Sequence, residues 1–395
     1  MPSPPKGTES RPPRLHLLDF LRLVAMGLMI QGHTLAALVA PACLNQDQAP
    51  WWIWEGLRGL TAPMFMLISG AASVLGLRYG AGGRLAPGVL GRRLRMAALV
   101  AGIGYLMVFP ANRLADLRWV SPDSWRAFLA VNILQANGAT LALLTALLAG
   151  ARTVRRYAAW SVGTGLGILL ATPLVAAVDW FRWLPEGLGA YLSYQHGSLF
   201  PLFPVSAYMF LGVGLGALLL EAPPERRVRT FRLACLGAGG AALLVSWAAQ
   251  RVPLATLPPD QAWRGAYAYT TCRLGFALAL FGALAWLVEL RPALAAALAP
   301  MGRRSLFAYV AHLALVFGTP WTPGLVDGPC HGLTPGQGVL CVLLVGGATF
   351  GAIRLWDVAR DRSRDLGALL YVSAVIALVR LLLWGGLQLR PFGPA

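Results

Sequence analysis

The sequence predicts an all-α fold, a polytopic transmembrane helix bundle, and three observations predict it. The first is composition. Of 395 residues, 57% are hydrophobic and only 12% are charged, against about 25% charged in a soluble domain. The second is a mean hydropathy of +0.61, which leaves too little polar surface to cover a water-soluble chain of this length. The third is the placing of the arginines, which gather in short clusters between apolar runs.

A spanning helix needs about 20 mostly apolar residues. Charges and Pro/Gly breaks divide the chain into runs at 15–39, 52–77, 96–110, 126–149, 157–178, 198–220, 232–250, 265–290, 304–320, 337–353 and 366–389. That is about eleven helices, of which the third, ninth and tenth are short. Ahead of them, MPSPPKGTESRPPR is polar and Pro-rich, and it lacks the apolar core and cleavage site of a signal peptide. It predicts a disordered cytoplasmic tail over 1–13. Lys and Arg on the side of that tail number 22, against 7 on the other side. This bias predicts a cytoplasmic N-terminus.

The net charge of +17 does not point to nucleic acid, because no soluble basic module separates from the apolar runs. The five cysteines show no CxxC or Cys/His spacing for a metal. Cys43 and Cys330 fall in predicted outer loops, where an oxidising compartment permits a disulfide.

Charged groups at bilayer depth are costly and are functional candidates by default. Here they are Asp19, Arg22, His33, Arg58, Arg273, His312 and Arg380. Eleven helical residues place Arg22 and His33 about 20° from a common face and about 16 Å apart in height. One face then sets a cation near the inside and an imidazole toward the outside. That suits a reaction whose donor and acceptor arrive from opposite sides. Headgroup snorkelling by Arg22 and a helix-gluing hydrogen bond at His33 account for the same spacing. Asp19 with Arg22, and Glu55 with Arg58, are i,i+3 pairs. Pro63 frees a backbone carbonyl, and Ser69-Gly70 permits close helix approach. Tyr309 lies one turn before His312, within reach of a Tyr–His hydrogen bond. Trp51, Trp52 and Trp54 read as interfacial anchors. Arg92, Arg93 and Arg95 form the densest inner cluster. They suit either topology and anionic lipid or a polyphosphate ligand.

Six segments carry a resemblance, in order, across residues 14–316. They are RLHLLDFLRLVAMGLMIQGH, APMFMLISGAAS, GRRLRM, NILQANGATLALL, LFPLFPVSAYMFLGVGLG and MGRRSLFAYVAHLALV. Together they resemble the membrane acyltransferase superfamily. The likeness is strongest to bacterial relatives of the heparan-α-glucosaminide N-acetyltransferase catalytic domain, with features of the family-3 membrane acyltransferases. Leu23 stands where that family usually has Gly, and Val205-Ser206 where it has Trp.

The resemblance implies a transmembrane acyltransferase domain over 14–390 in a bacterial plasma (inner) membrane. It implies transfer of an acyl group, commonly acetyl, from cytoplasmic acetyl-CoA or another acyl-CoA. The acceptor is a hydroxyl or amine of an extracytoplasmic glycan or glycolipid, and no metal is implied. By position, His33 is the catalytic base, Arg22 its partner on the same face, and His312 and Tyr309 second-rank candidates. Arg92, Arg93 and Arg95 are the candidate acyl-CoA phosphate site. A homodimer is compatible with this reading. A transporter or flippase also places charges at mid-membrane, but it should show inverted repeats, and none is evident. A non-catalytic scaffold leaves the paired charges on one face unexplained.

Overall fold

The structure, a computed structural model, describes residues 16–386 apart from 46, 78, 80, 252–260 and 329, and leaves out the side chains of 81, 261–267, 364 and 366. The tail over 1–13 with Lys6 and Arg11, and Arg14, Arg78 and Arg390, lie outside the described residues, as does the Arg264 side chain.

Fifteen α-helices and a few 3-10 turns make up the described chain, with isolated β-bridges and no strand among the described residues. In order they are α1 (His16–Leu38), α2 (Trp51–Arg58), α3 (Thr61–Val74), α4 (Val89–Met107) and α5 (Pro122–Leu129). Then follow α6 (Ile133–Gly150), α7 (Val154–Ala176), α8 (Glu186–Gly189), α9 (Leu202–Glu221) and α10 (Arg227–Arg251). The last are α11 (Gln261–Leu290), α12 (Pro292–Gly302), α13 (Ser305–Val316), α14 (Pro335–Arg362) and α15 (Arg364–Trp384).

Nine helical segments among the described residues are long and apolar enough to cross a membrane, with α2 and α3 counting as one. The two remaining runs of the expected eleven also form helices. α4 opens with Arg92, Arg93 and Arg95, and α13 has only 12 residues. At 1.5 Å per residue α13 is about 18 Å long, too short for a ~30 Å hydrocarbon core. Cys43 and Cys330 are both free.

α1 packs against α3, α12, α13 and α14, while α3 lies on α9 and α9 on α7. Lipid tails are as apolar as the helices, so close van der Waals contact rather than burial drives the packing. Glycines supply it. A Cβ on Gly70 would lie 1.9 Å from the Met209 carbonyl oxygen, and one on Gly212 2.2 Å from that of Leu67. Gly216 meets Ala71 in the same way, so α3 and α9 touch backbone to backbone.

Ion pairs set the heights of the helices at the arginine-rich end, here the basic end. Asp19 binds Arg22 at 2.7 Å and Arg303 at 3.4 Å. Arg304 donates twice to Asp357, at 3.0 and 2.6 Å, tying the base of α13 to α14. Arg232 of α10 holds Glu289 of α11 at 2.9 Å.

Gly212→Val should destabilise the bundle by about 1–3 kcal/mol through overpacking. Gly27→Ala, with nothing within 4 Å of the new Cβ, should leave stability unchanged or slightly raised. Thermal melting of the purified variants checks this, and equal melting temperatures would refute the α3–α9 contact.

Candidate active site

α1 carries His33 near its far end, and α13 carries His312. The two rings meet there: His33 Nδ1 lies 2.9 Å from His312 Nε2. The planes differ by only 2° and the centroids are 5.2 Å apart. With nitrogens that close and centroids that distant, the imidazoles join edge to edge in one plane. His312 Nδ1 lies 2.7 Å from the Ala308 carbonyl oxygen, one turn back on α13.

That last contact assigns the protons, which the hydrogen-bond network determines. A carbonyl oxygen only accepts, so His312 Nδ1 carries the hydrogen. A neutral imidazole has one N–H, which leaves His312 Nε2 bare to accept from His33 Nδ1–H. His33 Nε2 then keeps its lone pair. His312 is 0% exposed, whereas His33 is half-buried, so only His33 can meet a substrate. Phe317 stands edge-on to His33 at 6.0 Å.

Arg58 adjoins this pair. Its methylene stem crosses α1 at Gly32, where a Cβ would lie 2.8 Å from Arg58 Cγ. The guanidinium donates to Glu55 at 2.7 Å and sits over the Trp54 ring at 5.3 Å. The Trp54 indole N–H in turn donates to Gln31 Oε1 at 2.7 Å. Arg273 of α11 lies 2.7 Å from where a Gly59 Cβ would be and 3.9 Å above Tyr269. Glu55 Oε2 is buried with no hydrogen-bond partner. Two guanidiniums thus flank one carboxylate, a local excess of positive charge beside the imidazoles.

A cavity of about 130 Å³ opens between α3, α4, α6 and α13, lined in part by Phe65, Ser69, Asn137, Leu141, Ser305 and Tyr309. Asn137 Oδ1 is buried without a partner. Tyr309 meets His312 ring edge to face at 5.8 Å. The expected Tyr–His hydrogen bond is replaced by the His312 bonds to Ala308 and His33, because those use both ring nitrogens.

The other candidates lie apart from the pair. Arg22 is half-buried at the basic end, paired with Asp19. α1 is unbroken from His16 to Leu38, so the rise of about 16 Å to His33 is retained. The arginine cluster divides. Arg93 turns inward and donates to the Ser73 carbonyl at the end of α3, while Arg92 and Arg95 are exposed. In the nearby loop, burial first and then Tyr157 push the Tyr79 hydroxyl above its usual range, with Arg93 opposing. Among the described residues, no cluster of three or more His, Cys, Asp or Glu could hold a metal ion.

The chain is thus a multi-pass membrane protein with a hydrogen-bonded histidine pair inside its bundle. The model of one family, "heparan-alpha-glucosaminide N-acetyltransferase, catalytic", matches residues 14–246, more than half of the chain. The chain belongs to that family, one of acetyltransferases. No individual curated protein matches. His33 lies within the matched residues; His312, Tyr309 and Arg273 lie beyond them.

Glu55, Arg58, Arg273 and Asn137 are absent from the catalytic candidates read from sequence. Intramembrane charge is a signal for both arginines, but only the fold shows that the Arg58 stem crosses α1 at Gly32, next to His33, and that Arg273 lies against Gly59. Nitrogen-15 spectra of histidine-labelled protein should show His33 and His312 both protonated at Nδ1. A His33 protonated at Nε2 would overturn the assigned relay.

Proposed function

We propose that the protein transfers an acetyl group from acetyl-CoA at the basic end to an amine or hydroxyl of a sugar at the far end, with His33 as general base. The observation that carries this reading is the relay from the Ala308 carbonyl through His312 to His33, which leaves the His33 Nε2 lone pair free. The positive-inside rule supports a cytoplasmic basic end and N-terminus, and the likeness to bacterial relatives supports a bacterial plasma membrane. The acceptor is then extracytoplasmic, a glycan or glycolipid.

His33 Nε2 takes the proton of the acceptor N–H or O–H as that atom attacks the thioester carbonyl carbon. Negative charge develops on the carbonyl oxygen, and the Arg58 guanidinium beside His33 is the nearest fixed positive charge to stabilise it. The carbon–sulfur bond then breaks. The thiolate recovers the proton from His33, giving free CoA and the acetylated sugar. His312 keeps the His33 ring oriented throughout.

The CoA phosphates are too polar to enter hydrocarbon. We assign them to Arg92 and Arg95, which are exposed at the basic end, with Arg93 bracing α4 against α3. Arg22 flanks the donor path from the same end. The slim pantetheine arm reaches inward, and the cavity beside Tyr309 offers Ser69, Asn137 and Ser305 to its amides.

Purified protein incubated with labelled acetyl-CoA and a glucosamine-terminated oligosaccharide should yield labelled product. A parallel acceptor with only hydroxyls separates N- from O-transfer. His33→Ala should lower the rate by about 10²–10⁴ with the melting temperature retained, and near-wild-type turnover would exclude His33 as the base.

Arg92→Ala combined with Arg95→Ala should raise KM for acetyl-CoA and leave kcat nearly unchanged, and added salt should mimic the effect. An unchanged KM would leave topology as their role.

A further inference from the structure

A second, larger cavity, about 730 Å³, lies away from the histidine pair, between α7, α9 and the α10–α11 hairpin. Its origin is legible in the packing. α10 and α11 bind each other closely through glycines: a Cβ on Gly239 would lie 3.0 Å from the Gly275 oxygen, and one on Gly282 2.6 Å from Leu236. α7 and α9 form a second tight pair, with a Gly214 Cβ 2.7 Å from Val162. Where the two pairs face each other, the side chains are too small to close the gap. Ala158 and Ala159 of α7 stand opposite Ala238, Ala241 and Ala242 of α10.

The walls are almost wholly apolar, and the groove is open along its length. Leu166, Leu218 and Val245 line it and are 50%, 41% and 45% exposed. In a bilayer these positions face hydrocarbon, so the groove admits an acyl chain; the Thr271 hydroxyl on its wall is turned to the Ala268 carbonyl at 3.1 Å. One end differs. Arg155 and Glu221 close the groove at the basic end, joined by Arg155 Nε–H donating to Glu221 at 2.8 Å. That bond uses only Nε, so both Nη groups still point outward on a side chain that is 83% exposed. Arg152, Arg156, Arg226 and Arg229 are exposed on the turns that begin α7 and α10. Among the described residues of these two turns, the acidic ones are Glu221 and Glu225. An apolar slot at hydrocarbon depth, ending in excess guanidinium at headgroup depth, matches one ligand chemistry.

We propose that this groove is a binding site for an anionic phospholipid, with its acyl chains between α7 and α10 and its phosphate on Arg155. Guanidinium forks suit phosphate oxygens, and the anionic leaflet supplies the ligand. A zwitterionic lipid would bring its own cation against the arginines. A second copy of the chain would set one arginine-rimmed mouth against another if it docked here symmetrically.

Native mass spectrometry tests this with full-length protein released from nanodiscs of phosphatidylglycerol or of phosphatidylcholine. Wild type should retain one phosphatidylglycerol per chain and markedly less phosphatidylcholine. Ala241→Trp should fill the groove and remove that lipid. Leu344→Trp places the same side chain on α14, at a residue 63% exposed and outside the groove, and should retain it. Arg155→Gln should cut the preference for phosphatidylglycerol roughly tenfold, the loss of one charge-assisted hydrogen bond. Melting curves for each variant separate misfolding from loss of lipid. Equal retention in wild type and a folded Ala241→Trp variant overturns the site. Equal retention of the two lipids overturns the headgroup assignment, and a protein dimer that Ala241→Trp dissolves assigns the groove to a second copy instead.

Discussion

Hydrocarbon offers no hydrogen-bond partner, so a charge in this bundle must meet another charge or a dipole of the protein itself. That constraint organises the basic end. Asp19 takes both Arg22 and Arg303, and Asp357 takes Arg304. Such pairs are weak sources of net stability, because desolvation offsets their attraction. Their geometric effect is stronger. They fix α1, α12, α13 and α14 at set heights, and a Cβ on Gly302 would lie 1.8 Å from the Asp19 carbonyl oxygen, leaving α12 no room to slide. His33 and His312 sit on two of the helices so fixed. Their 2.9 Å contact at the far end therefore depends on an ionic collar at the opposite end.

The glycine contacts do the same for the other flank of the site. Gly70 presses α3 onto α9, and Ser69, one residue earlier, is turned about 100° away to line the cavity that Tyr309 also lines. Gly32 works similarly on α1: the missing side chain is the space through which Arg58 passes. Gly70 and Gly32 are thus part of the site's construction, since the close contacts at these two positions place Ser69 and Arg58.

Much of this is legible in the sequence, and the boundary is physical. The all-α bundle and the place of most apolar helices follow from hydropathy, a local property, although nine described segments rather than about eleven are long and apolar enough to span. The Asp19–Arg22 and Glu55–Arg58 pairs follow from i,i+3 spacing and are present at 2.7 Å each. The partner of His33 does not follow. His312 is 279 residues away, and only the packing of α13 on α1 joins them. The same limit divides Arg92, Arg93 and Arg95, which look alike in sequence. Helical rotation turns one of them toward Ser73 and leaves the other two exposed.

The end of the relay carries the last consequence. In many enzymes a carboxylate orients the catalytic imidazole and also stabilises its protonated form. Here the orienting group is the Ala308 carbonyl, acting through a second imidazole. A carbonyl dipole sets the tautomer without burying a net charge, which suits a site surrounded by hydrocarbon. It also stabilises the imidazolium less than a carboxylate would. On the proposed reaction that difference is useful, because His33 must take a proton and then return it to the departing thiolate within one turnover. The two demands, orientation without charge and easy return of the proton, are met by one hydrogen bond from His312 to the backbone of its own helix.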